Sequence, residues 1–157
     1  PPRSTLFPYT TLFRSQTLAQ KIKEEIFQSK KAALVLKDIC SAIDCAHKAK
    51  VIHRDLKPGN VMIDEFGNSK VMDFGLAKFT EGESALSRTG DILGTPSYMS
   101  PAQAAGTGVD ERSDVYSIGA IGYEMVTGRA PFKGDTICNI LHQVANNYPL
   151  RDRKSVG

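Results

Sequence analysis

Four polar side chains in the middle of the chain stand at a spacing that suits phosphoryl transfer from a metal-bound nucleotide. Asp55, Lys57 and Asn60 lie on one short segment, and Asp73 follows thirteen residues after Asn60. Amide and carboxylate oxygens can bind a hard divalent cation, a lysine can bind phosphate, and another carboxylate can accept a proton. Asp55 alone would more often be a loop residue that caps local backbone. The order and spacing of all four favour catalysis.

A predicted β-hairpin explains how two of these residues could meet. Residues 61–63 and 70–72 are short apolar segments predicted to be strands, and residues 64–68 have the composition of a turn. Antiparallel pairing would bring Asn60 and Asp73 side by side. A small set of oxygen ligands, with positions left for phosphate oxygens, suits Mg²⁺ better than Ca²⁺ or Zn²⁺.

The remaining elements are predicted to be mainly helical. Hydrophobic periodicity indicates helices over residues 17–26, 30–48, 115–127 and 135–146. The helix over 30–48 is predicted to bury one apolar face, formed by Ala33, Leu36, Cys40, Ile43 and His47. The helix over 115–127 is apolar nearly all round, which predicts a place in the middle of a core.

Two further segments bear on this arrangement. Lys50 stands where a glycine usually ends a helix such as 30–48, whereas Gly128 follows the helix over 115–127. Residues 76–98 form a long polar segment without strong periodicity, and a segment of this kind in a compact domain is usually functional.

The run His53-Arg54-Asp55-Leu56-Lys57-Pro58-Gly59-Asn60, followed by Asp73-Phe74-Gly75, resembles the catalytic and metal-binding loops of protein kinases. The resemblance covers about residues 17–150. It is closest to bacterial-type (Hanks-type) serine/threonine kinases, given the segments 94–101 and 113–117. It implies an α+β, mainly α-helical fold: the large, C-terminal lobe of a kinase with a small β-hairpin, and with the small lobe missing.

By this resemblance, Asp55 is the catalytic aspartate that orients the substrate hydroxyl and accepts its proton. Lys57 would contact the transferred phosphate, and in the family a lysine here accompanies serine/threonine specificity. Asn60 and Asp73 would bind Mg²⁺, or Mn²⁺ in its place, together with ATP. Thr95 resembles the substrate-docking threonine, and an ordinary turn threonine is the alternative interpretation.

Several apolar or structural residues also match the family. Met62 would lie under the adenine ring, with Ile121 and Met125 supporting it from below. The resemblance further implies a column of stacked side chains anchored by an aspartate, with a structural glycine completing the metal-binding motif: His53, Phe74, Asp114 and Gly75. Plain core packing is a compatible interpretation of these apolar residues.

Arg54 suggests control by phosphorylation, because an arginine beside the catalytic aspartate needs an anionic partner. Ser87 and Thr89 are the best candidate sites for that phosphate. One departure from the family affects the same region. Ala102 stands where the family signature has a glutamate that pairs with an arginine, which is expected to weaken an anchor of the activation segment.

The two ends of the chain are predicted to be artefacts. Residues 5–15 resemble a translated DNA-sequencing adapter, and residues 152–157 resemble the complementary adapter. We therefore expect residues 1–15 to be adapter-derived and disordered, residues 16–151 to be a partial kinase domain, and 152–157 to be an adapter-like tail. The formal net charge of +3 falls to roughly zero without these ends, which argues against nucleic acid as a partner.

Composition narrows the setting. The longest apolar run is too short to span a membrane, and the three cysteines show no metal-ligand pattern, so a reducing cytoplasm is expected. The parent protein could still be anchored to a membrane elsewhere, and the sequence leaves its oligomeric state open.

These observations predict a serine/threonine protein kinase, here a partial one, which transfers the ATP γ-phosphate to serine or threonine hydroxyls of proteins. A pseudokinase-like lobe that binds partners without catalysis is the alternative. The intact set Asp55, Lys57, Asn60 and Asp73 argues against it. Phosphotransfer to a small molecule is a third possibility, which the long segment 76–98 and Thr95 disfavour.

Overall fold

The computed structural model describes residues 15–74 and 96–150. The described part contains five α-helices and a three-stranded sheet: β1 Gln16–Thr17, α1 Leu18–Glu24, α2 Ser29–Lys48, β2 Val61–Ile63, β3 Ser69–Val71, α3 Pro101–Ala104, α4 Glu111–Thr127 and α5 Ile137–Asn146. The expectation of a mainly helical α+β fold with a small hairpin is confirmed.

The hairpin forms where it was predicted, with β3 beginning and ending one residue earlier. Val61 pairs with Val71, Met62 with Lys70 and Ile63 with Ser69. A strand that the sequence did not indicate, β1, pairs with the other edge of β2. Two residues carry no readable strand period, so this pairing depends on tertiary contacts.

Local capping signals explain where most helices begin and end. Thr17 caps α1 in a reciprocal capping box with Gln20. Asp110 and Thr136 accept backbone hydrogen bonds at the starts of α4 and α5. Gly128 ends α4 in the left-handed conformation, at φ 71°.

Lys50 occupies the position after α2 where glycine is usual, at φ 62°. Its N–H donates to the carbonyl of His47 at 2.9 Å, and that of Val51 donates to the carbonyl of Ala46 at 2.9 Å. This is the hydrogen-bond pattern of a Schellman motif, so the helix ends as a glycine would end it, with a lysine in the strained conformation.

The predicted inward face of α2 was right for Ile43, and for Leu36, which packs against the core, but wrong for Ala33 and Cys40. The buried side chains are Ala32, Val35, Ile39 and Ile43, whereas Ala33 and Cys40 are exposed. Residues 32–36 are all apolar, so periodicity alone does not say which side faces inward. Packing of α2 against α4 and β3 decides it.

The expectation that α4 is buried all round was also wrong for the described chain. Ala120, Ile121 and Met125 face the core together with three polar residues, but Val115 is 62% exposed. The buried positions recur every three or four residues, which is the pattern of one packed helix face.

The core lies between α1, α2, α4 and the hairpin. Its fully buried members include Leu18, Ile39, Val61, Ile121 and Met125. Within the described ranges, no helix is long and apolar enough to cross a bilayer.

Candidate active site

The segment between α2 and β2, which we call the 51–60 loop, carries three of the four predicted catalytic side chains. Leu56 and Pro58 are buried and fix the loop on the core. Arg54 has φ 66°, in the left-handed region that favours glycine. A strained backbone of this kind persists only where surrounding contacts hold it.

Asp114 on α4 supplies those contacts. Its Oδ1 accepts a hydrogen bond from the Arg54 N–H at 2.9 Å, and its Oδ2 accepts one from the His53 N–H at 2.9 Å. His47 on α2 donates to the same Oδ2 from Nε2 at 2.7 Å. Asp114 is only 1% exposed. A buried carboxylate therefore fixes the backbone of the two residues that precede Asp55.

His53 links the 51–60 loop to the end of the hairpin. Its ring is fully buried, and Nε2 donates to the Met72 carbonyl at 2.9 Å. Nδ1 accepts from the Asp55 N–H at 3.4 Å, so these bonds require the proton on Nε2. The Phe74 ring lies 4.9 Å away between centroids, tilted by 56°.

Asp55, Lys57 and Asn60 form one hydrogen-bonded group. The Lys57 ammonium lies 2.9 Å from Asp55 Oδ2, in a pair whose side chains are about a quarter to a third exposed. The Asn60 amide nitrogen donates to the Asp55 carbonyl at 2.9 Å and lies 3.4 Å from Asp55 Oδ2. Because the amide nitrogen faces Asp55, the Asn60 amide oxygen remains as an acceptor for a cation.

The hairpin brings Asp73 to this group. The Met72 N–H donates to the Asn60 carbonyl at 2.8 Å, continuing the ladder in which Val61 pairs with Val71. Asp73 follows directly, exposed and in the left-handed conformation at φ 56°. One amide and one carboxylate are the hard oxygen donors that Mg²⁺ takes alongside phosphate oxygens. The donor set therefore fits a nucleotide-bound divalent cation.

Residues 5–154 match the family model described as the protein kinase domain. The chain belongs to the protein kinase family. Members of this family use ATP and a divalent metal ion, and act on protein substrates.

The similar proteins are bacterial serine/threonine kinases. The probable serine/threonine-protein kinase PknB of Corynebacterium glutamicum is 40% identical over 149 residues, covering 92% of this chain and 23% of that protein. Serine/threonine-protein kinase PknB of Mycobacterium tuberculosis is 42% identical over 122 residues, covering 77% of this chain and 20% of that protein. The kinase chain thus spans about a fifth of the length of these relatives. The resemblance to bacterial-type serine/threonine kinases is confirmed.

The structure places the remaining predicted residues of the kinase site as follows. Met62 is partly exposed on the face of β2 opposite Val61 and Ile63, which are buried. Ile121 and Met125 are both fully buried in the core. Their predicted roles below the adenine ring stay predictions.

Four predicted residues lie outside the part of the chain that the structure describes: Gly75, Ser87, Thr89 and Thr95. Arg54 lies inside it, with its backbone bound to Asp114. The proposed control by phosphorylation therefore stays a prediction.

Two long-range contacts at the site were missed by sequence reasoning. Gln103 on α3 donates from Nε2 to the Arg54 carbonyl at 2.7 Å. His47, interpreted only as part of the apolar face of α2, binds Asp114. The pattern Ser100-x-x-Gln103 is a capping-box signal that could have identified a capping role for Gln103. Nothing local indicated Arg54 as its partner.

Residues 96–104, which follow the undescribed segment, are held on α4. Ser117 donates to the Tyr98 carbonyl at 2.8 Å, and the Tyr98 hydroxyl donates to Glu124. Burial raises the pKa of Tyr98, and the hydrogen bond to the Glu124 carboxylate raises it further. The phenol therefore stays protonated as a donor. One helix, α4, thus holds both this segment and the 51–60 loop.

Proposed function

We propose that this chain supplies the catalytic large lobe of a bacterial serine/threonine protein kinase. The single observation that carries the proposal is the hydrogen-bonded group Asp55–Lys57–Asn60, with Asp73 brought beside it by the hairpin. A lobe that only binds partners has no need of this complete set.

In the proposed reaction, the Asp55 carboxylate orients a serine or threonine hydroxyl and accepts its proton. The hydroxyl oxygen forms a bond to the γ-phosphorus of ATP, and the bond to the β–γ bridging oxygen breaks to release ADP. The Lys57 ammonium group, which pairs with Asp55 in this structure, would also contact the transferred phosphate.

Asn60 and Asp73 would hold the metal ion, Mg²⁺ or Mn²⁺ in its place. When bound, the ion supplies charge neutralisation on the phosphate oxygens. Met62 would lie under the adenine, and Thr95 would contact Asp55 and Lys57 when substrate docks. We place the protein in the cytoplasm, where ATP and protein substrates are available.

The test is transfer of labelled phosphate from ATP to a serine/threonine protein substrate, using the longer protein that contains these residues. Asp55→Asn should lower the rate by about 10²–10⁴-fold, because a positioned base contributes that much. Asp44→Asn is the matched control, since Asp44 is an exposed α2 residue paired only with Lys48 among its described contacts. Equal rates in both variants would refute the assignment of Asp55.

Absence of transfer by a folded, nucleotide-binding protein would instead support the partner-binding alternative, with Ala102→Glu as the first reversion to make. We expect the 157 residues alone to turn over little or no substrate. Their resemblance to kinases covers the large lobe and not the small lobe that covers the nucleotide. Robust transfer by the isolated chain would contradict this expectation.

Regulation can be tested in the same assay. Alanine at both Ser87 and Thr89 should lower activity if a phosphate there pairs with Arg54. Unchanged activity in the double variant would rule out both sites.

A further inference from the structure

Gln103 makes more contacts than helix capping requires. It is 7% exposed, and its Oε1 accepts from the Ser100 N–H at 2.9 Å. The Gln103 backbone N–H donates to the Ser100 hydroxyl at 3.2 Å, completing a capping box at the start of α3. The side-chain amide nitrogen, Nε2, is not needed for the box. It donates instead across 49 residues of sequence to the Arg54 carbonyl, at 2.7 Å.

An internal comparison shows that this contact is separate from capping. Gln20 has the same position in the capping box of α1, where its Oε1 accepts from the Thr17 N–H at 2.8 Å. The described hydrogen bonds of the Gln20 side chain stay within that box. Of these two glutamines, Gln103 alone has a described side-chain hydrogen bond that joins its helix to the 51–60 loop.

The partner of Gln103 is the strained residue beside the proposed base. Arg54 has φ 66°, its N–H is held by Asp114, and its carbonyl is held by Gln103. Both polar main-chain groups of Arg54 are thus fixed by buried side chains from two different helices. The orientation of the next residue, Asp55, depends on that peptide.

The segment that carries Gln103 is itself fixed on α4. The Ser100 hydroxyl lies 3.0 Å from the Ser113 hydroxyl, and Ser117 donates to the Tyr98 carbonyl at 2.8 Å. Since Asp114 lies on the same helix, α4 holds both the 51–60 loop and α3. The Gln103 amide connects those two directly.

We propose that Gln103 is a positioning residue: its amide nitrogen holds the Arg54 carbonyl and thereby sets the orientation of Asp55. This inference rests on the proposed kinase function. It predicts that α3 and the proposed base move together, so that displacement of α3 lowers the rate of transfer without removing any group that touches ATP.

The test uses Gln103→Glu in the longer protein, with Gln20→Glu as the matched control. A carboxylate keeps the acceptor for the Ser100 N–H but has no proton for the Arg54 carbonyl. At neutral pH, kcat should fall on the order of 10-fold or more, because small misplacements of a catalytic group have effects of this size. KM for ATP should stay within about twofold, since the substitution removes no group that is proposed to bind ATP or the metal ion.

The pH dependence distinguishes positioning from a general loss of stability. A protonated carboxyl regains a donor for the Arg54 carbonyl. The ratio of Gln103→Glu to wild-type kcat should therefore rise as the pH is lowered toward the pKa of the introduced carboxyl. The corresponding ratio for Gln20→Glu should stay flat. Gln103→Ala, which has no group to protonate, should show the loss without the recovery.

Amide hydrogen exchange provides a readout that does not depend on activity. Both Gln103 variants should exchange faster at the amides of residues 53–56, with the core of α2 unchanged. If the wild-type protein transfers no phosphate, the proposed function fails and exchange alone decides the positioning role. Equal kinetics and equal exchange in Gln103→Glu and Gln20→Glu would overturn the inference, as would faster exchange throughout the core instead of in the loop.

Discussion

The buried carboxylate of Asp114 offers the most demanding test of how the active loop is held. Asp114→Asn changes one oxygen to an NH₂ group and leaves the shape of the side chain unchanged. Three donors converge on the carboxylate: the N–H groups of His53 and Arg54, and Nε2 of His47. An amide has one oxygen to accept them, so at least one donor must then face the NH₂ group.

The magnitude follows from the less costly orientation of the introduced amide. With its oxygen at the Oδ2 position it keeps the bonds from His53 and His47, and its nitrogen faces the Arg54 N–H. The half-buried Arg54 N–H loses its carboxylate acceptor, and this one loss has an effect of about 1–3 kcal/mol. We expect a destabilisation of about 2–3 kcal/mol, the upper part of that range, because the lost acceptor is a buried carboxylate oxygen.

Urea unfolding, followed by circular dichroism, measures this effect. With a slope of about 2 kcal/mol per M, the midpoint should fall by about 1–1.5 M while the slope itself stays constant. Asp110→Asn is the matched control on the same helix, because asparagine caps a helix start about as well as aspartate. Asp110 is half exposed and pairs with Arg112, so its variant should lose less than about 1 kcal/mol.

A midpoint for Asp114→Asn that equals that of Asp110→Asn would refute the reasoning. It would mean that the three bonds to Asp114 contribute no more than an exposed cap. The phosphate-transfer assay adds a second criterion. If both variants fold, Asp114→Asn should lose activity because it disturbs the 51–60 loop, and Asp110→Asn should keep it.

Three further predictions concern single sites. Lys50→Gly should raise the free energy of unfolding by about 1 kcal/mol, since Lys50 is held at φ 62°. Lys50→Ala is the matched control, and an unchanged or lower melting temperature for Lys50→Gly would contradict the prediction. Tyr98→Phe should lower the free energy of unfolding by about 1–3 kcal/mol, because partly buried Glu124 loses its donor. An unshifted urea midpoint would count against that contact. The side-chain amide of Asn68 and nearby backbone N–H groups hold the pKa of Asp64 below its usual range. A lowered folded-state pKa gives stability that is present above about pH 4 and lost as the pH falls further, so Asp64→Asn should flatten the stability profile below pH 4, and an identical profile would refute the link.

The chemistry of this chain could be predicted from sequence because it depends on local spacing. Asp55, Lys57 and Asn60 lie on one loop, and a turn of five residues returns the chain so that Asp73 follows beside Asn60. The capping residues Asp110 and Gly128 act on backbone groups within one helical turn, so their effect is equally local.

The inward faces of the helices could not be predicted in the same way. All residues from 32 to 36 on α2 are apolar, so several helix faces would have satisfied the pattern. Which one is buried depends on the shapes of α4 and β3, and the strand pairing of Gln16 and Thr17 depends on β2. Ile26 and Val115, both apolar, remain mostly exposed in the described chain.

The sequence by itself determined which groups are available for phosphoryl transfer and in what order they meet the hairpin. Only the tertiary structure decided how they are held, because the holding contacts join residues far apart in the chain. Asp114 reaches the backbone of Arg54 from α4, and Gln103 reaches the carbonyl of the same residue from α3. A buried polar group is hydrogen-bonded to whichever group the fold brings beside it, and a local sequence pattern does not indicate which distant residue that will be.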